Sequence, residues 1–499
     1  MKIFSAAQIR ACDAYTIKAS GIRPIELMER AALRCVNWIT DHMPKDTLFV
    51  VLCGSGNNGG DGLAITRLLH RRGYGIKAFL LELGSERTPD CETNYQNLLA
   101  LDRDLVATLT PGTFITDIPQ NIVIIDTILG TGINRPVTGW LSTFIKQLNN
   151  LPNRKIAIDM PSGLSADNAP AAEDIIIRAS DTLSFQFLKR VMLHPESAPF
   201  MGRVHIIDIG LDNTFINATH SHYNTIDSEY ITTIYKKRRD FSHKGIMGRV
   251  LIAGGEYGKI GAMVLSSKAA LRAGAGLVTT ILPECGYNIL QTAVPEAMCQ
   301  TSGSNTVEII SNWETADAIA IGPGMGISPT AAKALSTFLE SCTRPIVLDA
   351  DALNIVAAHP DLLGKLPKGS VITPHPKEFG RIFGENTNSM VQVDHARIQA
   401  MRYNINIILK GHHTAVINSD GDCRYNTTGN AGMATGGAGD VLTGILAGLL
   451  AQGYAPYEAA VLSVYLHGHA GDLAAADLSQ EALIAGDIIA YLGKAYLSL

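Results

Sequence analysis

The sequence has few cysteines, little charge of either sign and no long apolar segment. Its eight cysteines among 499 residues are scattered without a C-x-x-C pair, which indicates reduced and mostly buried thiols. No apolar run reaches the length of a transmembrane helix, and the opening residues MKIFSAAQIRACDAY lack the apolar core of a signal peptide. We therefore expect a cytoplasmic protein that does not span a membrane.

The low charge content restricts the class of partner. Charged residues make up 17% of the chain and hydrophobic residues 46%, a balance typical of well-buried globular α/β proteins. A formal net charge of −5 provides no electrostatic footprint for nucleic acid, and we interpret the basic run KKRRD (236–240) as a solvated linker or turn. The length exceeds one ordinary core, so we expect two or three domains.

Short β-branched segments alternate with amphipathic segments through most of the chain. Such alternation predicts parallel sheets with helices on both faces, that is, an α/β fold. The polar stretch 211–240 carries no long apolar run, and we interpret it as the boundary between two domains, 1–215 and 225–499. The second series of strands closes with three helical segments that begin near GDVLTGILAG.

The segment CGSGNNGGDG (53–62) follows an apolar run and opens a helical one. Its glycines Gly54, Gly56 and Gly59 match the loose dinucleotide pattern G-x-G-x-x-G, which by itself indicates a nicotinamide-dependent oxidoreductase. That pattern does not account for Asn57–Asn58 or for Asp61, because a carboxylate would crowd a bound anion. A different ligand is therefore indicated.

Polar residues follow several strands of the first half. Because ligands bind beyond the carboxyl ends of parallel strands, Asp126 and Asp159 are expected to converge with the residues of the Gly-rich loop on one crevice. Asn58 and Asp126 offer oxygen ligands for a monovalent cation, and Asp159 could move protons at a carbinol carbon. The alternative is that each aspartate only caps a helix or turn.

The segment ATGGAGDVLTGILAG (434–448) predicts an anion hole at the start of a helix. The N–H groups of Gly436, Gly437 and Gly439 together with the helix end attract a phosphate, and Asp440 could take a proton from an attacking hydroxyl. Lys410-Gly411 after a strand is a second phosphate candidate. A P-loop is absent, because GGEYGKIG (254–261) lacks the required spacing.

The sequence does not assign a role to several other polar residues of the second half. Asp349 and Asp351 end another strand, and His375 stands between two prolines, where it serves either as a structural or as a functional side chain. The segment HGHAGD (467–472) lies in an apolar helix and is interpreted as packing.

Taken in order, these motifs resemble the bifunctional NAD(P)H-hydrate repair enzymes. GNNGGDG, D-T-x-x-G-T-G (126–132) and DMPSGL are similar to the epimerase part, and GPGMG, LDADALN, TPHPKEF, LKG and GNAGMATGGAGDVLTG to the dehydratase part. The resemblance implies a Rossmann-like N-terminal domain and a ribokinase-like C-terminal domain. It also implies a repair activity on NADH or NADPH to which water has been added.

The resemblance implies site residues as well. In the epimerase part, substrate contacts fall on Asn57, Asn58, Gly59, Gly60, Asp61, Gly130, Thr131, Gly132, Ile133, Asn134, Arg135, Pro136 and the catalytic Asp159, and a potassium site on Asn58, Asp126 and Ser162. In the dehydratase part, substrate contacts fall on Ala262, Gly326, His375 and the catalytic base Asp440, and nucleotide contacts on Lys410, Gly411, His412, His413, Thr414 and Gly439.

The cofactors and partners follow from the same resemblance. The dehydratase would use ADP or ATP with Mg²⁺, the bacterial type preferring ADP and forming AMP, and the protein is expected to be a homo-oligomer without nucleic-acid or membrane partners. Two departures stand out: Ala438 replaces a frequent Ser or Thr, and Glu256 and Lys259 make the loop after residue 253 more charged than usual.

Two other classes of function compete with this interpretation. The second half alone would suit a vitamin or sugar kinase of the ribokinase superfamily, with the first half as its regulator. The first half could also be a non-enzymatic module that binds nucleotides or a partner protein. TPHPKEF, LDADALN and the converging carboxylates of the first half favour the repair enzyme over both.

Overall fold

Two separate sheets organise the molecule. The computed structural model describes residues 1–113, 115, 118–133 and 135–499. It divides into two units, Lys2–Ser221 and His222–Leu499, the second of which also includes Met1. Each unit has its own sheet and its own apolar core. The prediction of an α/β fold with two domains is thereby confirmed.

The first unit begins with two helices and then alternates strands with helices. Ser5 caps the first helix by accepting a hydrogen bond from Gln8 N, and Pro24 opens the second, as the sequence predicts. The elements are α1 (Ala6–Ser20), α2 (Pro24–His42), β1 (Leu48–Cys53), α3 (Asn57–Arg71), β2 (Gly75–Leu81), α4 (Pro89–Leu101), β3 (Val106–Leu109), β4 (Ile122–Thr127), α5 (Gly139–Asn150), β5 (Lys155–Ile158), β6 (Asp181–Phe185), α6 (Ala198–Met201), β7 (Arg203–Ile207) and α7 (Asn213–Ala218).

All seven strands of this unit are parallel, in the order β3-β2-β1-β4-β5-β6-β7. The order is that of a doubly wound sheet with one further strand, and its direction reverses between β1 and β4. Apolar side chains on both faces, from α1, α2 and α3 on one and from α5 on the other, bury the sheet. The reversal leaves a crevice beyond Cys53 and Thr127, where the Gly-rich loop begins.

The second unit begins with a short strand and a short helix, which precede its first long strand, β9. Its elements are β8 (Tyr223–Ile226), α8 (Ser228–Ile234), β9 (Arg249–Ala253), α9 (Ile260–Arg272), β10 (Leu277–Leu282), α10 (Tyr287–Ala293), β11 (Met298–Thr301), β12 (Ala318–Ile321), α11 (Pro329–Ser341), β13 (Val347–Leu348), α12 (Ala350–Ala358), β14 (Val371–Ile372), α13 (Pro376–Phe383), α14 (Ser389–Tyr403), β15 (Asn406–Leu409), β16 (Ala415–Ile417), β17 (Cys423–Asn426), α15 (Ala438–Ala451), α16 (Pro456–Leu478) and α17 (Ala485–Leu497).

Ten strands form the second sheet, in the order β11-β10-β9-β12-β13-β14-β15-β16-β17-β8. Every neighbouring pair is parallel except the two that involve β16. The strands β9, β12, β13, β14 and β15 therefore end at one edge, where the motifs of the second half lie. The helices α9, α15, α16 and α17 pack together in the core of this unit.

The stretch 211–240, interpreted as the domain boundary, contains the division between the two units after Ser221 and also several short elements. This stretch contains α7, β8 and α8, and β8 pairs with β17 at the edge of the second sheet. Its polar composition reflects short elements with one exposed side: Asp212 and Asp227 cap the two helices. In the part of the chain that the structure describes, no helix is both long and apolar enough to cross a membrane.

Candidate functional site

Close packing of the chain requires several glycines of the first Gly-rich loop. A Cβ at Gly54 would overlap Ile128 O, one at Gly59 would overlap Gly54 O, and one at Gly62 would overlap Thr127 Oγ1. These glycines let α3 start directly against the ends of β1 and β4. Backbone contacts thus explain Gly54 and Gly59 of the loose dinucleotide pattern, whereas Gly56 has open space around it.

Asn58, Asp126 and Ser162 come together around Leu129, as the resemblance implies. Asn58 Nδ2 donates to Leu129 O at 3.0 Å and to Ile158 O at 3.2 Å. Ser162 Oγ donates to Asp126 Oδ1 at 2.6 Å, Ser162 N donates to Asp126 Oδ2 at 2.8 Å, and Leu129 N donates to Ser162 Oγ at 2.8 Å.

This cluster fits a hard cation. Asn58 Oδ1 is buried and has no hydrogen-bond partner among the described residues. An unpartnered buried carbonyl oxygen is costly unless something fills its place, and a cation with oxygen ligands would do so. Burial raises the pKa of Asp126 to about 6, against the opposing effect of its hydrogen bonds from Ser162 and Ile128. A bound cation would favour the charged carboxylate.

Asp159 is held by a lysine that the sequence did not reveal. Lys189 Nζ lies 2.6 Å from Asp159 Oδ1, and it also donates to Ser184 Oγ at 2.8 Å and to Phe185 O at 3.2 Å. The Lys189 side chain is only 1% exposed. Asp159 has a φ of 65°, a left-handed conformation that a non-glycine residue keeps only where its surroundings enforce it. Lys189 therefore fixes this carboxylate at the end of β5.

Two further carboxyl groups lie within electrostatic range of Asp159. Burial, with the charges of Asp159, Asp13 and two other acids, raises the pKa of Asp61 well above its usual range. Burial, followed by the charge of Asp159, raises the pKa of Asp13 to about 6, while Lys189 acts in the opposite direction. Asp61 was predicted as a site residue, whereas Asp13 on α1 was missed. Its position next to the buried Cys12 on an amphipathic helix was the available signal.

The remaining predicted residues of the first site occupy two turns. Gly130 packs on Asn58, since a Cβ there would lie 3.2 Å from Asn58 Cβ, and Ile133 N donates to Gly130 O at 3.4 Å. Asn57 is exposed, Gly60 packs against Met28 and Cys91, Thr131 is half-buried, Gly132, Arg135 and Pro136 are exposed, and Asn134 lies outside the described residues.

Cys53 has no chemical role in this arrangement. Burial raises the pKa of its thiol to about 12, so the thiol stays protonated. The interpretation of Cys53 as a buried structural thiol agrees with this environment.

In the second unit, Asp440 lies in the first turn of α15. Gly437 precedes the helix with a φ of 89°, and Gly439 leaves room beside Lys410, since a Cβ there would lie 3.6 Å from Lys410 Nζ. The first turn thus has free backbone donors next to a cation, which is an anion-binding arrangement.

Lys410 pairs with Asp349 and not with Asp440. Its Nζ lies 2.9 Å from Asp349 Oδ1, while Thr443 Oγ1 donates to Asp349 Oδ2 at 2.6 Å. Burial acts to raise the pKa of Asp349, but Lys410 and hydrogen bonds from Thr373 and Thr443 outweigh it, so this pKa is lowered. Asp349 is therefore a fixed anion that holds the lysine in place.

Asp440 has a very different environment. Burial, followed by the charge of Asp349, raises its pKa to about 7, with Asp351 adding to the rise and Lys410 opposing it. No hydrogen bond to its carboxylate occurs within the described part of the chain. A carboxylate with a pKa near neutrality beside an anion hole is suited to take a proton from a hydroxyl.

His375 combines a structural and an accessible role. Its Nδ1 accepts from Lys377 N at 3.1 Å and from Glu378 N at 3.3 Å, so the ring caps α13. Burial, together with the charges of Lys410 and Arg381, lowers its pKa. The ring is 42% exposed, and Nε2, 3.4 Å from Glu378 Oε1, remains at the site edge. Both interpretations of His375 thus stay open.

A cavity of about 430 Å³ adjoins Lys410 and Gly439. Lys410, Gly411, His412, Thr414 and Gly439 all line it, as do residues of α16 and of the loop after β17. His413 is not part of its lining: its Nδ1 lies 3.2 Å from Asn426 O, and burial lowers its pKa to about 4.

The HGHAGD segment serves packing, in agreement with its interpretation. His467 Nε2 lies 2.9 Å from Ala438 O, and burial lowers the His467 pKa to about 4, so this neutral ring donates to the first turn of α15. Asp472 accepts from Gly429 N at 2.8 Å and from Asn430 Nδ2 at 2.9 Å. These contacts hold the cavity wall and the anion hole together.

The predicted substrate contacts Ala262 and Gly326 lie on α9 and in the segment after β12. Ala262 is in the first turn of α9, and a Cβ at Gly324 would lie 3.2 Å from its Cβ. Gly326 N donates to Asp351 Oδ2 at 2.9 Å. Gly326 itself is buried, because the Glu256 side chain covers it.

Known proteins are similar to both halves of the chain. The family described as NAD(P)H-hydrate dehydratase matches residues 250–493, and the family described as YjeF-related protein N-terminus matches residues 24–191. The bifunctional NAD(P)H-hydrate repair enzyme Nnr of Moorella thermoacetica is 34% identical, with 99% of this chain and 96% of that protein aligned. The Escherichia coli enzyme of the same name is 33% identical, with 99% and 93% aligned.

A solved structure is similar to the second unit. The ADP/ATP-dependent NAD(P)H-hydrate dehydratase of Bacillus subtilis, co-crystallised with ATP and Mg²⁺, is 31% identical with a TM-score of 0.49. The alignment covers 55% of this chain and 98% of that one.

Proposed function

The chain belongs to the family of bifunctional NAD(P)H-hydrate repair enzymes, and we propose that it restores NADH and NADPH whose nicotinamide ring has taken up water. The first unit interconverts the two epimers at the hydrated carbon. The second unit dehydrates one of them, the S form, in a reaction that consumes ADP or ATP. The observation that carries the proposal is the presence of two separate acid–base sites, Asp159 with Lys189 and Asp440 with its anion hole.

The epimerase reaction requires a hydroxyl to leave one face of the ring and water to return on the other. Asp61, whose pKa burial raises, holds the proton that the leaving hydroxyl needs to depart as water. The Asp159 carboxylate stabilises the ring cation that remains and takes a proton from the returning water. Asp13, whose pKa burial and the charge of Asp159 raise to about 6, would pass protons between the carboxyl groups and solvent.

The polar turns of the first unit position the substrate. The first turn of α3, from Asn57 to Asp61, and the described residues of the segment after β4, 130–133, would border the crevice at the switch point of the sheet. Asn58, Asp126 and Ser162 would hold a potassium ion, whose charge would fix these turns against each other. The unpartnered Asn58 Oδ1 supports that assignment.

In the second unit, Asp440 takes the proton of the ring hydroxyl while the hydroxyl oxygen attacks the terminal phosphorus of the nucleotide. The bond to the leaving AMP, or to ADP when ATP is used, breaks as the new bond forms. The ring carbon then releases phosphate, and the neighbouring carbon gives up a proton, so that the double bond is restored. The N–H groups at the start of α15 and Lys410 stabilise the charge on the transferred group.

The cavity next to the anion hole is the proposed nucleotide site. Its lining by Lys410, Gly411, His412, Thr414 and Gly439 supports this assignment, whereas the predicted contact His413 does not line the cavity. Mg²⁺ would accompany the nucleotide and neutralise its phosphates.

A comparison of substrates tests the function. The purified protein is given hydrated NADH with ADP, and in parallel a pyrimidine alcohol with ATP. We expect recovery of the reduced-nicotinamide absorbance in the first reaction and negligible phosphorylation in the second. Efficient phosphorylation of the alcohol without repair of the hydrate would favour the kinase alternative. A homo-oligomer, a preference for ADP and a cytoplasmic location remain predictions.

A further inference from the structure

The loop between β9 and α9 has a well-defined conformation. Gly255 and Gly258 have φ values of 81° and 87°, which only glycine adopts without strain. Glu256 forms an isolated bridge with Thr306, and Tyr257 N donates to Asn305 O at 2.9 Å. These backbone contacts fix one side of the loop, and the Glu256 side chain extends from the other side toward Gly326.

The Glu256 carboxylate fills the space at Gly326. A Cβ at position 326 would overlap Glu256 Oε2, and the φ of 75° at Gly326 is one that side-chain-bearing residues rarely adopt. Lys259 Nζ lies 3.0 Å from Glu256 Oε1 and 3.4 Å from Asp351 Oδ2. The hydrogen bond that Lys259 donates to Glu256 is the main reason that the pKa of Lys259 is raised. Two carboxylates therefore share one cation at this point.

The same point lies at the start of a helix. Lys259 is the N-cap residue of α9, and Ala262 is in its first turn. A lysine next to the N-terminus of a 13-residue helix attracts anions, and in the free protein the anion present is Glu256 itself. The carboxylate thus stands in for an external anion at a position bordered by the two predicted substrate contacts, Ala262 and Gly326.

We propose that Glu256 and Lys259 determine how tightly the dehydratase site binds the pyrophosphate of its dinucleotide substrate. Glu256 occupies the place of a substrate phosphate in the free protein, and Lys259 pairs with that phosphate once the substrate has displaced the carboxylate. The proposal rests on the proposed function, since it concerns the same substrate. Neither side chain takes part in the chemical step.

The displacement of Glu256 by a substrate phosphate affects how tightly the substrate binds and not the rate of the chemical step. The Glu256 carboxylate must leave Gly326 before the substrate can reach it, which weakens the complex. Lys259 attracts the substrate pyrophosphate equally in the ground state and in the transition state of the reaction, which compensates for this loss. Uniform changes of this kind alter KM and leave kcat nearly unchanged.

The test compares substitutions that separate size from charge. Glu256→Ser removes both, Glu256→Gln retains the size without the charge, and Lys259→Met removes the cation. With the S hydrate of NADH and saturating ADP, we expect KM to fall about fivefold for Glu256→Ser and to rise about tenfold for Lys259→Met. Glu256→Gln is expected to lie between the first variant and the unchanged protein. The KM for ADP stays constant in all three.

Matched controls accompany these variants. Lys268→Met removes an exposed lysine farther along α9 and should leave both KM values unchanged. Lys259→Arg keeps the positive charge and should recover most of the affinity. Raising the ionic strength should increase the KM of the unchanged protein and should have little effect on Lys259→Met, because screening acts on the charge pair.

The outcomes separate the two proposals. If the unchanged protein fails to dehydrate the hydrate with ADP, the proposed function is wrong. If it does so and the KM values of the folded variants Glu256→Ser and Lys259→Met equal that of the unchanged protein, this inference is wrong. A fall in kcat without a change in KM would also overturn it, because it would place these residues in the chemical step.

Discussion

The two units place a carboxylate and a lysine at the carboxyl ends of parallel strands, but they pair them differently. In the first unit Lys189 contacts Asp159, the carboxylate that we expect to act on the substrate. In the second, Lys410 contacts Asp349, a neighbour of the acting carboxylate Asp440. Similar groups in similar folds therefore give two different electrostatic results.

The difference shows how pairing determines the chemistry of a carboxylate. Lys189 pairs with Asp159, while burial and then the charge of Asp159 raise the pKa values of Asp61 and Asp13. In the second unit the lysine is engaged elsewhere, and burial raises the pKa of Asp440 to about 7. One site thus contains an ion-paired carboxylate beside two carboxyl groups of raised pKa, and the other contains a single unpaired base with a pKa near neutrality.

The largest effect is expected when the base of the second site is removed. Asp440→Asn should lower kcat of the dehydratase about a thousandfold, because general base catalysis is lost while the anion hole persists. The rate of epimer exchange should not change. The reciprocal variant Asp159→Asn should stop epimer exchange and leave dehydration of the S epimer intact. Equal loss of both activities in either variant would contradict the separation of the sites.

The next prediction concerns the buried lysine of the first unit. Lys189→Met leaves Asp159 without its partner and should lower the free energy of unfolding of that unit by about 3 kcal/mol, as for other broken buried pairs. Urea unfolding measures this. The double variant Lys189→Met/Asp159→Asn should regain part of the loss, since the unpaired charge is gone. A single variant as stable as the unchanged protein would argue against the ion pair.

The pH profile distinguishes the two sites further. Because the base must be ionised, kcat of the dehydratase should fall as the pH drops through about 7, the pKa of Asp440. Lys410 lowers that pKa, so Lys410→Met should move the acid limb to higher pH at saturating ADP. The same substitution should not move the profile of epimer exchange. An acid limb near pH 4, the ordinary range of a carboxyl group, would refute the role of Asp440.

The smallest effect is the cation dependence of the first unit. Replacing choline by potassium at equal ionic strength should raise the Tm of this unit by about 3 °C, if the ion is present at roughly tenfold its Kd. Asn58→Ala should abolish this increment because Asn58 Oδ1 is then absent. The change in Tm of the second unit on the same replacement serves as an internal control. Equal increments in both units would show a general salt effect.

The sequence was sufficient to predict those site residues that strand ends and glycine-rich turns mark. Asp126 and Asp159 follow apolar strands, and Asp440 follows a run of glycines before a helix, so their positions could be inferred from the order of elements. The short elements within 211–240 could not be inferred, because half-exposed elements of this length carry little apolar periodicity. Strand β8 is identified only by its pairing with β17.

Contacts between distant segments were beyond sequence reasoning. Lys189 stands in the apolar segment QFLKRVML, and only the fold shows that it reaches Asp159 thirty residues away. Asp13 joins the same cluster from the first helix, more than a hundred residues earlier. The contact of Glu256 with Gly326 likewise depends on how two loops meet. Pairings of this kind depend on topology and burial, which local sequence patterns do not reveal.

The central claim is that one chain carries two separate repair sites that act in succession on the same damaged dinucleotide. An epimer-resolved time course, with a mixture of both hydrates of NADH and excess ADP, tests it most directly. The unchanged protein should consume both epimers to completion, whereas Asp159→Asn should consume the S epimer at the normal rate and the R epimer only as fast as it epimerises in buffer. Equal consumption of both epimers by Asp159→Asn would contradict the account.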